Sequence, residues 1–466
     1  MFRIRYVVFV VVVLVASAQA LIAAEPLQAG VAVVDITPPV PFRMSGYFNE
    51  RLSTGTKDPL HAKAVVFQQG DESAALVFCD LVGISSEISS AARTRASEAT
   101  GIPADHIAIA ATHTHTGPLY FGALHDHLHE RSVARRGDDP YESSEYKEEL
   151  IDKIVAAIAE AKSSLQPVEL ASGYAHENRL SFNRRFHMKD GSVRFNPGQK
   201  NPNIVRPAGP IDPQVGMVLL RKPNSHDPFG AIVSFAMHCD TVGGTQYSAD
   251  YPKHMEDKLR EAWGPDFVLL FGAGTCGDIN DIDVTASERR GAKTLGAMLA
   301  ETAEQAVKES NGMSVLEPAL AVRSVKVDTP LQSYSESEFE EVRQNMKLVG
   351  TRELSFIDQV EATKIVDLKR WPGGRAALEV QVFRLNRDTA IVTLPAEVFV
   401  ELGLAIKAAS PFKTTLVVEL TNEGLSYIPT RKAFVEGSYE IVNSRVQPGS
   451  GERLVEAAIE LLRELE

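Results

Sequence analysis

The sequence predicts an α/β protein with a mixed β-sheet core and helices on both faces of that core. Short apolar runs rich in Val, Ile and Ala, which are typical of buried strands, recur along the whole chain. Longer amphipathic stretches separate these runs at fairly regular intervals. Because strands and helices interleave in this way, the pattern excludes an all-α or an all-β protein.

Residues 1–20 have the layout of a secretory signal peptide. Two arginines precede an apolar run from Tyr6 to Val15, and Ala18-Gln19-Ala20 offers an Ala-x-Ala cleavage site. The run is too short to span a membrane comfortably, and no other long apolar stretch follows it. We therefore expect an exported protein, periplasmic or secreted, with an uncleaved N-terminal anchor as the alternative. The remaining residues, 21–466, are enough for one large domain or two.

Charge and cysteine content narrow the class of protein. The formal net charge is −13, and it falls to −15 without the two arginines of the leader. This acidic balance argues against nucleic acid as a partner. The three cysteines are too few for a disulfide scaffold. Cys239 and Cys276 each follow a predicted strand, so they either form one disulfide, leaving Cys79 unpaired, or all three are reduced and buried.

The predicted elements follow one another without an evident internal repeat. In chain order they are a strand (31–36), a hairpin (64–68 and 74–80), a helix (85–100), a strand beginning at 107, a helix (145–165), strands (168–174, 214–221, 231–237), a helix (252–263), a strand (267–271), a helix (286–309), a strand (319–327), a charged helical region (335–370), a hairpin (378–385 and 389–394), a helix (398–409), a strand (414–420) and a C-terminal helix from 451. Gly70-Asp71 supplies the first hairpin turn, and Gly101 ends the first helix.

The excursion from His125 to Pro140 is polar throughout. Its three alternating histidines suggest a metal site, but no regular element is predicted on either side of them. We therefore interpret the excursion as a solvated loop.

The strand that begins at Ile107 ends in the stretch Thr112-His113-Thr114-His115-Thr116-Gly117-Pro118. Alternation along a strand places His113 and His115 on the same face. The carboxyl end of a buried strand is also where open α/β sheets usually bind ligands. His-x-His is a short and common pattern, however, and two hydrogen-bonded histidines at a sheet rim would give the same sequence.

Two further residues share this context. His238 ends an apolar strand, and Glu397 directly follows another. Two imidazoles and a carboxylate form a well-attested ligand set for catalytic zinc, which keeps one position open for water. Taken singly, His238 could be a satisfied rim histidine and Glu397 a first-turn helix residue. The residues alone therefore leave open a zinc hydrolase and a secreted binding protein.

Six segments, in the same order, resemble motifs of the neutral/alkaline ceramidases. They are Thr112-His113-Thr114-His115-Thr116-Gly117-Pro118 (Thr-His-Thr-His-Ser-Gly-Pro in the family), Asn183-Arg184, Phe235-Ala236-Met237-His238, Pro395-Ala396-Glu397, Tyr427-Ile428-Pro429-Thr430 and Tyr439-Glu440. The resemblance extends from about Gly30 to Glu440. Each motif alone is weak, but six in the family's order are specific.

The resemblance implies a function and a set of site residues. It implies that residues 21–466 form a single catalytic domain, and that His113, His238, Glu397 and Tyr427 hold one Zn²⁺ per chain. It also implies that His115, Arg184 and Tyr439 surround the scissile bond. The expected activity is the hydrolysis, by zinc-activated water, of an N-acyl amide such as ceramide or a related lipid amide. Another N-acyl or ester substrate, or a secreted protein of the same fold without activity, are the alternatives.

This sequence departs from the family pattern in ways that limit how far the family's properties apply to it. The family's Gly-Asp-x-Ser-Pro segment is Gly277-Asp278-Ile279-Asn280-Asp281 here, so Asn280 replaces the serine and a serine acyl-enzyme is not expected. The chain also ends in a short helix soon after Tyr439, where the ceramidases continue into a β-rich C-terminal domain. No Trp- or Phe-rich amphipathic segment indicates membrane docking.

Overall fold

Three β-sheets with the same strand pattern form the core of the structure. The computed structural model describes residues 25–142, 145–309 and 317–466. The predicted signal peptide, 1–20, lies outside the described residues. The predicted mixed α/β class is confirmed, and the structure adds that the sheet core is divided into three sheets.

The strands, in chain order, are β1 (Gln28–Asp35), β2 (Gly55–Thr56), β3 (His61–Gln69), β4 (Glu72–Cys79), β5 (Ile107–Ala111), β6 (Gln166–Pro167), β7 (Glu169–His176), β8 (Phe182–Asn183), β9 (Arg185–Met188), β10 (Val193–Phe195), β11 (Ile204–Pro207), β12 (Gln214–Arg221), β13 (Pro228–Phe235), β14 (Gln246–Tyr247), β15 (Val268–Ala273), β16 (Ile279–Asn280), β17 (Pro318–Pro330), β18 (Arg375–Asn386), β19 (Thr389–Thr393), β20 (Glu397–Val398), β21 (Thr414–Val418) and β22 (Tyr427–Ile428).

The helices are α1 (Ser86–Thr100), α2 (Ala123–Arg136), α3 (Tyr146–Ser163), α4 (Asp250–Trp263), α5 (Ala292–Glu309), α6 (Glu336–Asn345), α7 (Phe356–Asp367), α8 (Val400–Ala409), α9 (Arg431–Glu436), α10 (Tyr439–Asn443) and α11 (Ser450–Glu464). Local sequence explains several of their ends. Ser85 caps α1, since its side chain accepts a hydrogen bond from the amide of Ile88, and Gly101 ends the helix in the left-handed conformation.

Each of the three sheets contains three antiparallel strands followed by a fourth that is parallel to the third. The orders are β1-β3-β4-β5, with β6 added beside β1, then β7-β12-β13-β15 and β17-β18-β19-β21. A parallel pair needs a crossover connection, and α1, α4 and α8 supply it in the three sheets. The sequence has no evident internal repeat. The three sheets are therefore similar in topology and not in residue identity.

The three sheets share one apolar core on their inner faces. Side chains from all three meet there, including Phe78, Ile232, Leu270, Phe383 and Leu416. The outer faces are covered by helices: α1 and α3 on the first sheet, α4 and α5 on the second, α8 and α11 on the third. This arrangement buries both faces of the central strands, which explains why they are apolar throughout.

The carboxyl ends of the three parallel strands β5, β15 and β21 meet at the centre of the molecule. The amide of Ala111 donates to the carbonyl of Leu420 at 3.1 Å, and the amide of Glu419 donates to the carbonyl of Ala273 at 2.9 Å. The segments that leave these sheets therefore start close together. His113 follows β5, His238 follows β13 and Glu397 follows β19. Each of the three sheets therefore contributes one of these residues.

The predicted loop between His125 and Pro140 is wrong for most of its length, because Ala123–Arg136 is the helix α2. Leu124 and Leu128, one turn apart, pack against α6 and α7 in a small apolar cluster. The apolar face is only two residues wide, which is why polar composition concealed it. No helix within the described ranges is long and apolar enough to cross a membrane.

Candidate active site

The loop after β5 carries His113 and His115. The strand ends at Ala111, and His113 has a positive φ of 72°, so the two histidines lie in a turn and not on one face of a strand. The prediction that strand alternation places His113 and His115 on the same face is therefore wrong. The turn nevertheless brings the rings together, with 3.3 Å between the two Nε2 atoms. A non-glycine residue at positive φ is strained and marks a place where the surrounding structure dictates the backbone.

A backbone carbonyl on the side away from the site fixes the orientation of the His113 ring. Its Nδ1 lies 2.6 Å from the carbonyl of Val82, to which it donates. This bond leaves the lone pair on Nε2, which points into the site. A backbone carbonyl behind an imidazole is the usual support for a metal-ligating histidine.

His238 and Glu397 meet His113 at one point. The Nε2 atoms of both histidines lie 3.4 Å from the same oxygen, Oε2 of Glu397. Glu397 is brought there by Ala396, whose φ is 63°, and by the carbonyl of Ser426, which accepts from the Glu397 amide. Gly277 lets this chain approach closely, because a Cβ at that position would lie 2.7 Å from the Glu397 carbonyl oxygen.

The donor set fits a divalent metal ion. Glu397 Oε2 is buried and has no hydrogen-bond partner within the described part of the chain, although two imidazole nitrogens face it. Burial and the nearby Arg184 lower the pKa of His238 to about 3, so its ring is neutral. Burial alone would raise the pKa of Glu397, but His113 and His238 lower it well below its usual range. Neutral imidazoles and an ionised carboxylate are the protonation states that zinc requires.

His115 lies at the edge of this set. Its ring nitrogens come within 4.8 Å of those of His113 and His238, so proximity alone groups it with the ligand candidates. Its Nδ1 has no hydrogen-bond partner among the described residues and lies 3.7 Å from Oδ1 of Asp240. Burial, together with His113, holds the pKa of His115 well below its ordinary value. The His115 ring is therefore neutral here.

Tyr427 and Tyr439 form the next side of the site. β20 and β22 are parallel, and their register places Tyr427 beside Glu397. The hydroxyls of Tyr427 and Tyr439 are 3.5 Å apart. Burial raises the pKa of Tyr439 to about 12 and that of Tyr427 well above its ordinary value. In this structure both hydroxyls are protonated and can donate hydrogen bonds.

Arg184 completes the site from the strand segment between β8 and β9. Its Nη1 lies 3.0 Å from Nε2 of His238, and its Nη2 donates to the carbonyl of Gly277 at 2.8 Å. The guanidinium carbon lies 5.3 Å and 5.8 Å from the ring centroids of Tyr427 and Tyr439. All seven residues expected at the site, His113, His115, Arg184, His238, Glu397, Tyr427 and Tyr439, are thus brought together.

A cleft with an open volume of about 470 Å³ leads from this cluster to solvent. One wall consists of aromatic rings: Phe195 stacks on Phe356 and lies tilted against Tyr439, and Phe48 meets Phe356 edge to face. The three phenylalanines were not predicted from the sequence. They come from three segments far apart in the chain, and nothing local in the sequence distinguishes them from core residues.

Asn280, which replaces the family's serine, lines the same cleft. Its Nδ2 donates to Oδ1 of Asn196 at 2.9 Å, and its Oδ1 accepts from the amide of Ile282. Asn280 is therefore held in the lining of the cleft, and both of its polar atoms have partners.

The alternative of a Cys239–Cys276 disulfide is wrong, because these residues and Cys79 are free and buried in the part of the chain that the structure describes. The premise was right, since β13 and β15 are adjacent and parallel. The Cys276 thiol, however, donates to Oε1 of Glu419 at 3.0 Å, and Cys239 interacts with Tyr251. The two thiols therefore have separate partners.

A sequence profile described as "Neutral/alkaline non-lysosomal ceramidase, N-terminal" matches residues 27–280, which is more than half of the chain. The chain belongs to this family. Membership implies an amide hydrolase, and the expected relationship is confirmed. No curated protein sequence matches the chain.

Two solved ceramidase structures have the same fold. The neutral ceramidase from Pseudomonas aeruginosa superposes with a TM-score of 0.70 at 20% identity, covering 95% of this chain and 74% of that one. A ceramidase complexed with C2 gives a TM-score of 0.70 at 19% identity, covering 95% and 75%. At this identity the likeness extends to the fold, so the roles of individual residues must be argued from their own geometry.

Proposed function

We propose that this ceramidase-family protein is an exported, zinc-dependent amidohydrolase that cleaves the N-acyl amide bond of ceramide or a related lipid amide. The observation that carries the proposal is the meeting of two imidazoles and one ionised carboxylate at the floor of an open cleft. Zinc would be held by His113, His238, Glu397 and Tyr427, one ion per chain. Bound zinc supplies a Lewis acid that makes water a nucleophile at neutral pH.

The remaining polar groups suit the steps of amide hydrolysis. His115 is neutral and beside the ligands, so it can accept the proton of the attacking water and pass it to the leaving nitrogen. Arg184 and Tyr439 are protonated donors, and they can stabilise the oxygen that gains charge in the tetrahedral intermediate. None of these steps needs a serine, which agrees with the presence of Asn280.

The shape of the cleft supports a substrate with an apolar chain. The wall formed by Phe48, Phe195 and Phe356 leads directly to Tyr439, so an acyl or alkyl chain lying on it would extend from the reacting centre. Apolar contact with this wall would favour lipid amides over small polar amides. The family membership favours ceramide within that class.

Release of fatty acid from a panel of substrates tests the activity. We expect hydrolysis of N-acylsphingosine, inhibition by a chelator and recovery on adding zinc. The matched ester and N-acyl amino acids report whether the site prefers another bond or head group. Glu397→Gln, which keeps the size of the side chain but removes its charge, is the inactive control. Absence of hydrolysis of every substrate by the zinc-loaded protein would contradict the proposal.

Export has its own test. If residues 1–20 are a cleaved signal peptide, the protein recovered from the exported fraction begins at Leu21. An N-terminal sequence or an intact mass that retains Met1 in the cytoplasmic fraction would contradict export, and retention in a membrane fraction would indicate the uncleaved anchor.

A further inference from the structure

Glu440 is a fully buried carboxylate that the proposed chemistry does not use. It lies in α10 directly after Tyr439, and none of its surface is exposed. Its Oε1 accepts a hydrogen bond from Nε of Arg184 at 2.8 Å. Its Oε2 has no hydrogen-bond partner within the described ranges, but lies 3.5 Å from Nε of Arg185. One carboxylate therefore stands between two neighbouring arginines.

The backbone before α10 is bent to bring Glu440 to this place. Gly437 and Ser438 have φ values of 73° and 88°, and Ser438 is not a glycine. Arg185 holds the turn from outside, since its Nη2 donates to the carbonyl of Gly437 at 2.9 Å and its Nη1 to Glu436 at 3.2 Å. A strained turn persists only where the surrounding structure enforces it, and such turns cluster at functional sites.

Stability gives no reason for this arrangement. Removing a carboxylate and two guanidinium groups from water is costly, and apolar residues of similar size often stabilise a protein as well as a buried ion pair does. A buried ion pair does, however, fix the position of its groups. Glu440 holds the Nε side of the Arg184 guanidinium. Nη1 and Nη2 point toward His238 and the Gly277 carbonyl at the site.

We propose that Glu440 is a positioning residue, which holds the Arg184 guanidinium between the rings of Tyr427 and Tyr439 so that it faces the reacting oxygen. This inference rests on the role given to Arg184 in the proposed function. Glu440 acts only through Arg184 and does not touch substrate. Without the carboxylate, the guanidinium loses its anchor at Nε and is held only through Nη1 and Nη2, so its plane is less well fixed.

Glu440→Gln tests the role. Both carboxylate oxygens face arginine nitrogens that carry hydrogens, so an amide must place its NH₂ group against one of them. We expect kcat on N-acylsphingosine to fall about 10- to 100-fold, as for other supporting partners of active-site groups, with KM and zinc content unchanged. Glu177→Gln is the matched control: this buried carboxylate pairs with Arg179 and contacts neither Arg184 nor Arg185, and its kcat should stay within about twofold of the wild type.

A kcat for Glu440→Gln within about twofold of the wild type would overturn the inference, as would a loss of activity that only follows a loss of zinc or of folded protein. If Glu440→Gln does not fold, Glu440→Asp decides. It keeps the charge but withdraws it by one methylene, and the inference requires a lower kcat there too.

A double-mutant cycle with Arg184→Lys separates positioning from a merely structural role. If Glu440 acts through Arg184, adding Glu440→Gln to Arg184→Lys lowers kcat by less than about twofold, whereas independent effects multiply. The same cycle distinguishes the two proposals. If Arg184→Lys itself has wild-type kcat, the role of Arg184 in the proposed function fails. If Arg184→Lys is impaired and Glu440→Gln is not, only the inference about Glu440 fails.

Discussion

Two histidine clusters among the described residues place metal-ligating atoms close together, and they differ in what else surrounds those atoms. The first contains His113, His115 and His238, and the second contains His129, Asp139 and Glu142. In the first, Oε2 of Glu397 has two imidazoles before it and no hydrogen-bond partner in the described structure. In the second, the guanidinium of Arg43 already lies between the carboxylates of Asp139 and Glu142.

The second cluster lies between α2 and the loop that follows it. His129 is 46% exposed, and its Nδ1 lies 3.0 Å from Asp139. Arg43 donates to the same carboxylate of Asp139, and Glu142 accepts from His125 at 2.7 Å. A guanidinium therefore occupies the position that a cation would take, and bonding to Asp126 and Glu142 raises the pKa of His125 despite its burial. Oε2 of Glu142 accepts no hydrogen bond within the described residues, but it lies 3.8 Å from Nη1 of Arg43, so this cluster already contains its own cation.

The difference shows that the number of nearby ligand atoms does not identify a metal site. A site needs imidazole and carboxylate atoms that converge on one point and include an oxygen that no protein donor uses, as Oε2 of Glu397 does between His113 and His238. We expect four substitutions to test this difference, and their effects should decrease in the order given.

Removing a ligand of the first cluster should have the largest effect. His113→Ala or His238→Ala should abolish both zinc binding and hydrolysis, because the remaining groups leave the ion with too few ligands. Zinc content by elemental analysis and fatty acid release are the measurements. Full activity of either variant would remove the basis of the comparison.

His115→Ala should retain zinc but lose rate, by roughly a hundredfold or more if His115 transfers a proton. The expected pattern is a lower kcat with one zinc per chain. Since the ring of His115 lies as close to His113 as a ligand would, loss of zinc in this variant would reassign His115 to the metal and contradict its catalytic role.

Phe356→Ser should weaken the use of long acyl chains. Phe356 is 44% exposed and forms the outer part of the aromatic wall, so a chain lying on it loses apolar contact when the ring is removed. We expect kcat/KM for a long-chain N-acylsphingosine to fall by about tenfold, and less for a two-carbon acyl group. Tyr174→Ser, an aromatic residue of 43% exposure on β7, is the matched control and should leave both values unchanged.

Asn280→Ala should have the smallest effect among the residues of the cleft. Its side chain bonds to Asn196 and to the backbone and has no covalent role in hydrolysis by water. Most of the activity should therefore remain. Detection of an acyl-enzyme during turnover, by mass spectrometry of quenched protein, would be inconsistent with this mechanism.

The sequence predicted the order of the elements well, because buried strands and amphipathic helices have distinct apolar periods. It failed at α2, where two leucines one turn apart were too weak a signal among many polar residues. The six ordered motifs led to the seven site residues, yet strand alternation was the wrong reason for grouping His113 with His115. Backbone φ at His113 depends on contacts from Leu81 and Val82, which local sequence does not encode.

Other parts of the site could not be predicted because they depend on tertiary contact. Phe48, Phe195 and Phe356 form one wall only after three distant segments fold together. Glu440 was visible beside Tyr439, but its contact with Arg184 joins residues more than two hundred positions apart. The similarity of the three sheets is likewise a property of strand order and not of residue identity.

The most direct test of the central claim is the zinc content of the purified wild-type protein, measured beside His113→Ala and His129→Ala. We predict close to one zinc per chain for the wild type and for His129→Ala, and none for His113→Ala. No zinc in the wild type, two per chain, or loss of the ion on changing His129 would contradict the assignment of the metal to the first cluster.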